Sequence, residues 1–368
     1  MVRVLQVVTN MDRGGLETML MNYYRHIDRE KVQFDFLEHR YTRSAYDNEI
    51  EALGGKICRL PRLVPWGKNY LNALDRFFTG HLEYKIIHVH QDCLSSVILK
   101  AAERHGIPVR IAHSHNASQN KNLKYPIKLW YKRSIPDYAT HLFACSMEAG
   151  EWMFNRASFQ ILNNAVDALS YSFDSAKRNA IREQLGLTNQ LTIGHIGRFS
   201  PQKNHPFLLE VFAALLRREP TAVLLLVGVG ADIEKIRAKA EAMGLSQKVR
   251  FLGVRSDVSD LLQAMDVFLF PSLYEGLPVT LIEAQAAGLP CVISDVISDQ
   301  CMITDLVSIR KLADPPEEWA NAIMEKAGLP RRNTQSEIIA AGFDVTKNAE
   351  WLQEFYLSQW KTIEQCQR

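Results

Sequence analysis

The chain has 368 residues, 47% of them hydrophobic and 23% charged, and a net charge of +2. That length exceeds what one hydrophobic core usually serves, so two domains are expected in an otherwise ordinary globular composition. The near-neutral charge and the lack of a binding motif argue against nucleic acid as a partner, and the longest apolar runs, such as "AVLLLVGVG" (222–230), reach only about half of a bilayer span.

The start "MVRVLQVVTN" reads as a strand, with no charged n-region, long apolar h-region or small-residue cleavage site. Strand candidates follow at 32–38, 56–60, 85–90, 109–115, 141–146 and 159–162. Helical patterns separate them, for example "LETMLMNYYRHI" (16–27) and "SSVILKAAERHG" (95–106). Near-continuous apolar strands alternating with helices imply a parallel sheet covered on both faces. Residues 163–187 are polar and carry no buried strand. The pattern restarts with strand candidates at 191–197, 222–228, 249–253, 267–272, 290–294 and 306–309. The fold class is therefore α/β, with two doubly wound domains joined near 164–188, and the crevices beyond the strand ends are the expected binding places. The last segment, 346–363, sets Trp351, Leu352, Phe355, Tyr356 and Trp360 at helical spacing, an amphipathic helix docked on a domain.

Six cysteines stand at 58, 93, 145, 291, 301 and 366 with no CxxC pair. Such spacing favours reduced thiols and a cytoplasmic location over a disulfide frame or a zinc site. Residues 1–167 hold 22 Lys+Arg against 17 Asp+Glu, the remainder 21 against 24, and nine of the eleven histidines lie in the first part. The two halves are expected to face different partners.

Three stretches carry chemistry. After the first strand, Gly14 and Gly15 precede a helix with Glu17 in its first turn. Paired glycines admit close approach of a ligand to the backbone, and a helix N-terminus favours phosphate; a tight turn is the plainer explanation. In "GHIGRFSPQKNHPFLLE", Arg198 and Lys203 sit at the mouth of the second sheet, placed to neutralise a diphosphate leaving group, or else as surface charges. In "FPSLYEGLPVTLIEAQAAGLP", a turn carries Glu275 and the following helix carries Glu283. Backbone amides of Leu277, Val279 and Thr280 would face the same crevice, and a carboxylate suits vicinal sugar hydroxyls. A solvated glutamate favoured by the helix dipole is the alternative for Glu283.

"EGLPVTLIE" resembles the E-x7-E motif of the retaining GT-B glycosyltransferases of family 4, and "GGLE", "GRFSPQKN", "NAVD" and "FLG" stand in that family's order and spacing. The resemblance runs along essentially the whole chain and is greatest to bacterial transferases of exopolysaccharide and capsule assembly. It implies a GT-B fold: two Rossmann-like domains facing each other across a cleft, an acceptor-side domain at 1–165 and a nucleotide-sugar domain at 166–345. The helix 346–366 would cross back to the first domain. By the same resemblance Glu275 holds the donor sugar's hydroxyls, Glu283 the ribose hydroxyls, and Arg198 and Lys203 the diphosphate. Gly15 offers its amide from the opposite domain, and the base rests near Gly253 and Val254 on backbone groups.

A histidine after a strand of the first domain touches the donor sugar in this family. Counting from "RIA", His115 fits best and His113 second. "HVH" (88–90) and "HSHN" (113–116) have a spacing compatible with metal ligation. Family members resemble one another in needing no metal, so neither metal nor other cofactor is expected. The segment 121–133 interleaves Lys121, Lys124, Lys128, Lys132 and Arg133 with Tyr125, Leu129, Trp130 and Tyr131. It suits an anionic membrane surface bearing a lipid-diphosphate acceptor, or is simply a solvated basic helix.

The expected reaction moves a hexosyl unit from a nucleotide sugar, UDP-linked, to an acceptor hydroxyl with retention. The acceptor would be a lipid-linked oligosaccharide or another sugar. The alternatives are a nucleotide-sugar epimerase of the same fold and a non-catalytic nucleotide-sugar binder. Incubation with UDP-sugar alone separates the first two, since an epimerase alters the sugar and a transferase slowly hydrolyses it.

Overall fold

A computed structural model describes residues 1–116, 125–187 and 189–367. The chain divides into two compact units, Met1–Ala165 with Val345–Arg368, and Val166–Asp344. In the first unit, β1 (Val2–Val8), β2 (Val32–Glu38), β3 (Ile57–Arg59), β4 (Ile86–Val89), β5 (Val109–Ser114), β6 (His141–Ala144) and β7 (Gln160–Ile161) form one sheet. Its order is β3-β2-β1-β4-β5-β6-β7, all parallel. In the second unit, β8 (Thr192–Ile196), β9 (Val223–Val227), β10 (Val249–Gly253), β11 (Val267–Phe270), β12 (Cys291–Ser294) and β13 (Val307–Arg310) run β10-β9-β8-β11-β12-β13, again all parallel. Each sheet reverses direction of winding beside its first strand. The reversals fall between β1 and β4 and between β8 and β11, where a doubly wound sheet leaves a crevice.

Strands such as Val223–Val227 are buried throughout, because helices cover both faces and leave no polar side. The second core gathers Leu208, Leu209, Phe212, Leu224, Leu226 and Trp319. Trp319 is fully buried and donates its indole N–H to the Lys311 carbonyl at 3.1 Å, so its polar atom is not left unsatisfied.

The C-terminal helix, Val345–Gln367, belongs to the first unit. Its residues Val345, Ala349, Leu352, Tyr356 and Ile363 lie in one core with Tyr24, Phe34 and Phe36. Tyr356 meets the Phe34 ring edge-on at 6.0 Å. Burial of a side chain of that size contributes roughly 2–3 kcal/mol. Of the aromatic residues at helical spacing, Trp351 turns outward and stacks on Phe355 at 5.8 Å.

The polar stretch after Asn163 is held in place by ion pairs. Asp174 caps the helix Ser175–Gln184 by accepting the Ala176 and Lys177 amides at 2.8 and 3.1 Å. Arg178 and Arg182 both reach Asp266, the residue just before β11, and Arg182 also donates to the Ala264 carbonyl at 2.7 Å. Tyr171, just before that helix, is held by its carbonyl, which accepts Gln263 Nε2–H at 3.0 Å. Among the described residues, no helix is long and apolar enough to cross a membrane.

Candidate active site

In the second unit the site is built where β8 and β11 end. Gly197 and Arg198 leave β8, a short turn Pro201–Lys203 follows, and Asn204 in the left-handed region (φ 53°) starts the helix His205–Leu216. The loops after β8 and β9 touch backbone to backbone. A Cβ on Gly228, whose φ is +135°, would lie 2.1 Å from the Gly197 carbonyl oxygen, and one on Gly230 2.2 Å from that of Phe199. Gly228→Ala therefore faces both strain and collision. It is expected to cost at least about 3 kcal/mol, read as a fall in the denaturant midpoint with the urea m-value unchanged.

Lys203 lies across this glycine-lined floor, its Cε 3.2 Å from where a Gly197 Cβ would stand. The ammonium sits 4.5 Å over the Phe270 ring and donates to Glu275 Oε1 at 2.7 Å. Gln202 donates to Glu275 Oε2 at 3.2 Å and to the Tyr274 carbonyl at 3.0 Å. The Lys203 and Glu275 side chains are 14% and 6% exposed. The two residues expected to serve separate parts of a donor are thus paired with each other. Arg198 is exposed and has no carboxylate partner among the described residues.

Glu283 is no solvated helix-start residue. It is 4% exposed inside the helix Val279–Ala286 and accepts the Tyr171 hydroxyl at 2.8 Å. Burial pushes its carboxyl up to about 7, against the hydrogen bond from Tyr171. Sequence reasoning missed Tyr171, which belongs to the polar connecting stretch and has no motif of its own. Leu277 and Val279 are buried and Thr280 half-buried. The amides of Val279 and Thr280 stand in the first turn, where no preceding helical carbonyl can accept them. Gly253 ends β10 with φ +67°, and its carbonyl accepts the Gly228 amide at 2.8 Å, so that backbone group is already engaged. Val254 beyond it is 50% exposed.

Two buried histidines beneath Lys203 also escaped the sequence reading. His205 stacks on Phe199 at 4.2 Å and meets His195 edge-on at 4.9 Å. His195 donates Nδ1–H to the Leu269 carbonyl at 2.9 Å. Burial, then the Lys203 ammonium, push His205 down to about 4, and His195 lies well below its ordinary value from burial and from His205. Both rings are neutral and add no charge against Lys203.

In the first unit, Gly14 is extended (φ −143°) and Gly15 opens the helix Gly15–His26. Residues 12–14 bend into this helix, and neither glycine has a positive φ. A Cβ on the exposed Gly15 would meet nothing within 4 Å. Packing against neighbouring atoms does not require glycine at 15. Glu38 anchors the loop before it by accepting the Met11 amide at 2.9 Å, and Arg59 reaches Glu38 at 3.2 Å.

The histidines of β4 and β5 form one cluster. His88, His90 and His113 are 1%, 4% and 2% exposed, and His115 is the half-buried outermost member. Of the two candidates, His113 is enclosed and His115 half-buried, its Nδ1 out of contact with solvent and its Nε2 bonded to His90 Nδ1 at 2.8 Å. Burial, then neighbouring rings, hold His88, His90 and His113 well below the ordinary histidine range. Burial takes His115 down to about 3 against the pull of Asn164. His88, His90 and His113 could each bring a nitrogen to one ion, these atoms lying within 4.8 Å of one another. Yet His88 and His90 are stacked at 4.4 Å, His88 Nε2 bonds His113 Nδ1 at 3.1 Å, and no carboxylate lines the cavity of about 10 Å³ beside them.

Of the basic segment, Lys121 and Lys124 lie outside the described residues. The helix Tyr125–Arg133 exposes Trp130 (67%) and Ile127 (42%). Lys132 is a correction: it is buried, donates to the Trp152 carbonyl and sits 4.6 Å over the Trp152 ring. It is not available to an anionic surface.

Comparison with known proteins gives the family and the fold. Residues 177–334 match the family described as "Glycosyl transferases group 1", and residues 13–168 match "Glycosyltransferase Family 4". The putative glycosyltransferase EpsF of Bacillus subtilis is 37% identical over 96% of this chain and 96% of its own length. The Escherichia coli UDP-Gal:alpha-D-GlcNAc-diphosphoundecaprenol alpha-1,3-galactosyltransferase is 24% identical over 75% of this chain and 76% of its own. The crystal structure of Anabaena Alr3699/HepE in complex with UDP-glucose superposes with a TM-score of 0.80 at 19% identity. It covers 97% of this chain and 100% of that one, which shows a shared GT-B fold.

Proposed function

We propose, for a chain that belongs to the group 1 glycosyl transferases and is a glycosyltransferase, that it transfers a hexosyl unit from a UDP-linked sugar with retention of configuration. The acceptor in this reading is a lipid-diphosphate-linked oligosaccharide of exopolysaccharide, capsule or O-antigen assembly. The observation that carries it is the Lys203–Glu275 pair at 2.7 Å, set at the reversal point of the second sheet, with Glu283 eight residues further on. A diphosphate drawing Lys203 toward itself would free Glu275 for the sugar hydroxyls. Arg198, Lys203 and the amides of Val279 and Thr280 then oppose the charge that grows on the diphosphate as the glycosidic bond breaks. Glu283 accepts the ribose hydroxyls, and His115 is the histidine of the first unit that meets the donor sugar. Attack comes from the same face, with the departing phosphate taking the acceptor's proton.

The E. coli relative's name specifies a UDP-sugar donor and a lipid-diphosphate acceptor, which supports that chemistry here. Exposed Trp130 and Ile127 are the features that would rest on the cytoplasmic face of a membrane. Incubation with UDP-sugars, with and without a lipid-diphosphate sugar, tests the reading. Transfer to the lipid supports it, and epimerised nucleotide sugar without transfer overturns it. The basic side chains stand in for a metal, so EDTA is expected to leave turnover within about twofold of the untreated rate, whereas a metal-dependent site would lose orders of magnitude.

A further inference from the structure

The sheet of the first unit ends at β7, which is two residues long and pairs only with β6. The first two turns of the C-terminal helix pass beside it, and the corner between them is not filled. A cavity of about 210 Å³ lies there, lined by Gln160, Ile161, Leu162, Asn163, Asn348 and Trp351. All six residues belong to the first unit, and no role above uses this space.

Three carboxamides and one indole stand in these walls, and none of the six residues carries a charge. Trp351 is 39% exposed, yet its ring is backed by Phe355 at 5.8 Å and 18°, and Phe143 meets the two rings at 5.8 and 5.1 Å. The indole is therefore braced from behind. Asn348 hydrogen-bonds the Tyr23 side chain, and the Tyr23 hydroxyl donates to the Asn163 carbonyl at 2.7 Å, so the amide walls are held as well. The Gln160 carboxamide and the Trp351 indole N–H make no hydrogen bond among the described residues.

A braced aromatic face beside neutral amides matches a pyranose ring. The ring's C–H face meets the negative face of the indole, and its hydroxyls pair with carboxamides, which both donate and accept. A phosphate or carboxylate would find no cation in these walls, and an alkyl chain would offer the amides no partner. The volume falls below the roughly 300–1,000 Å³ of drug-sized sites, which suits one ring and not two. Asn163 is followed by Asn164, whose side chain reaches His115, so the cavity wall is continuous with the histidine assigned to the donor sugar. β7 stands two strands from β5, about 10 Å at the usual strand spacing, which sets a ring bound here beyond the one that is attacked. We infer that the cavity binds one neutral pyranose of the acceptor glycan, a ring other than the one that carries the reacting hydroxyl. The inference rests on the reading of the chain as a transferase to a sugar-bearing acceptor, and adds which part of that acceptor is recognised.

The test uses the full chain labelled with 15N-tryptophan, the Trp351 indole signal being assigned through Trp351→Phe. Methyl glycosides of neutral hexoses, added alone, should shift that signal saturably and leave the other indole signals in place; methyl phosphate should not move it. With a lipid diphosphate bearing two or more sugars as acceptor, Trp351→Ala should raise the acceptor KM about tenfold and leave KM for the nucleotide sugar within about twofold. An acceptor bearing a single sugar should show no such rise. Gln160→Ala, at an exposed edge position, should weaken glycoside binding several-fold, and it decides the matter if Trp351→Ala fails to fold. No saturable shift with any glycoside overturns the inference, as does an unchanged acceptor KM in folded Trp351→Ala. Failure of the wild type to transfer sugar to any such lipid would instead sink the transferase reading, while a saturable glycoside shift would leave the pyranose site standing.

Discussion

Lys203→Ala is expected to lower kcat by at least about a hundredfold, the usual loss when one preorganised stabiliser of transition-state charge is removed. KM for the nucleotide sugar should change far less, because charge on the diphosphate grows mainly as the bond breaks. Glu275→Ala should lose a similar factor through the sugar. The double variant should be little worse than the poorer single, since the two side chains are in contact at 2.7 Å and act as a unit. Stability is the rival explanation for any loss. With 14% and 6% exposure, breaking the pair leaves one charge largely out of water, for roughly 3 kcal/mol. Lys203→Met keeps the packing on Gly197 and Phe270 but also leaves Glu275 unpaired, so its folded fraction is measured beside its kcat to separate the two effects. A Lys203→Met protein folded at the assay temperature with kcat within about threefold of wild type would show the pair to be structural only.

Strand positions were legible because apolar runs of five to seven residues bounded by polar turns have few alternatives in a covered parallel sheet. The helix Lys68–Gly80 was less so: its N-cap is Gly67, which makes no side-chain capping bond, so sequence offers no start signal. The site divided the same way. Spacing along the chain placed Lys203, Glu275 and Glu283 in one unit, but periodicity says nothing about which side chains bond each other. Tyr171 is 112 residues from Glu283, and a tyrosine in a polar stretch carries no pattern. The HVH and HSH stretches gave the faces of β4 and β5, whereas strand order brought them side by side, which no local signal encodes. Lys132 misled because its neighbours in sequence are basic and aromatic, while in the fold its stem points at Trp152.

Affinity for the nucleotide sugar should rise with pH through about 7, and Glu283 is the reason. Its carboxyl is pushed from 4.5 to about 7 by burial, so below that value it holds a proton and offers one acceptor fewer to the ribose hydroxyls. Binding that requires the ionised form should weaken about tenfold between pH 8 and pH 6. Stability moves the other way. The folded carboxyl keeps its proton up to about 7 whereas the unfolded chain releases it near 4.5, so the native state binds more protons between those values. The contribution of Glu283 is thus fully present below 4.5 and is lost as pH rises to 7, in all roughly 3 kcal/mol. Glu283→Gln should flatten both profiles. Tyr171→Phe removes the hydrogen bond that lowers the carboxyl, so both profiles should shift to higher pH. Calorimetry in buffers of different ionisation enthalpy reads the proton directly: near pH 6.5 wild type should release about three-quarters of a proton on binding, and Glu283→Gln none. Equal proton release by both would assign the titration to another group and leave Glu283 without the ribose role.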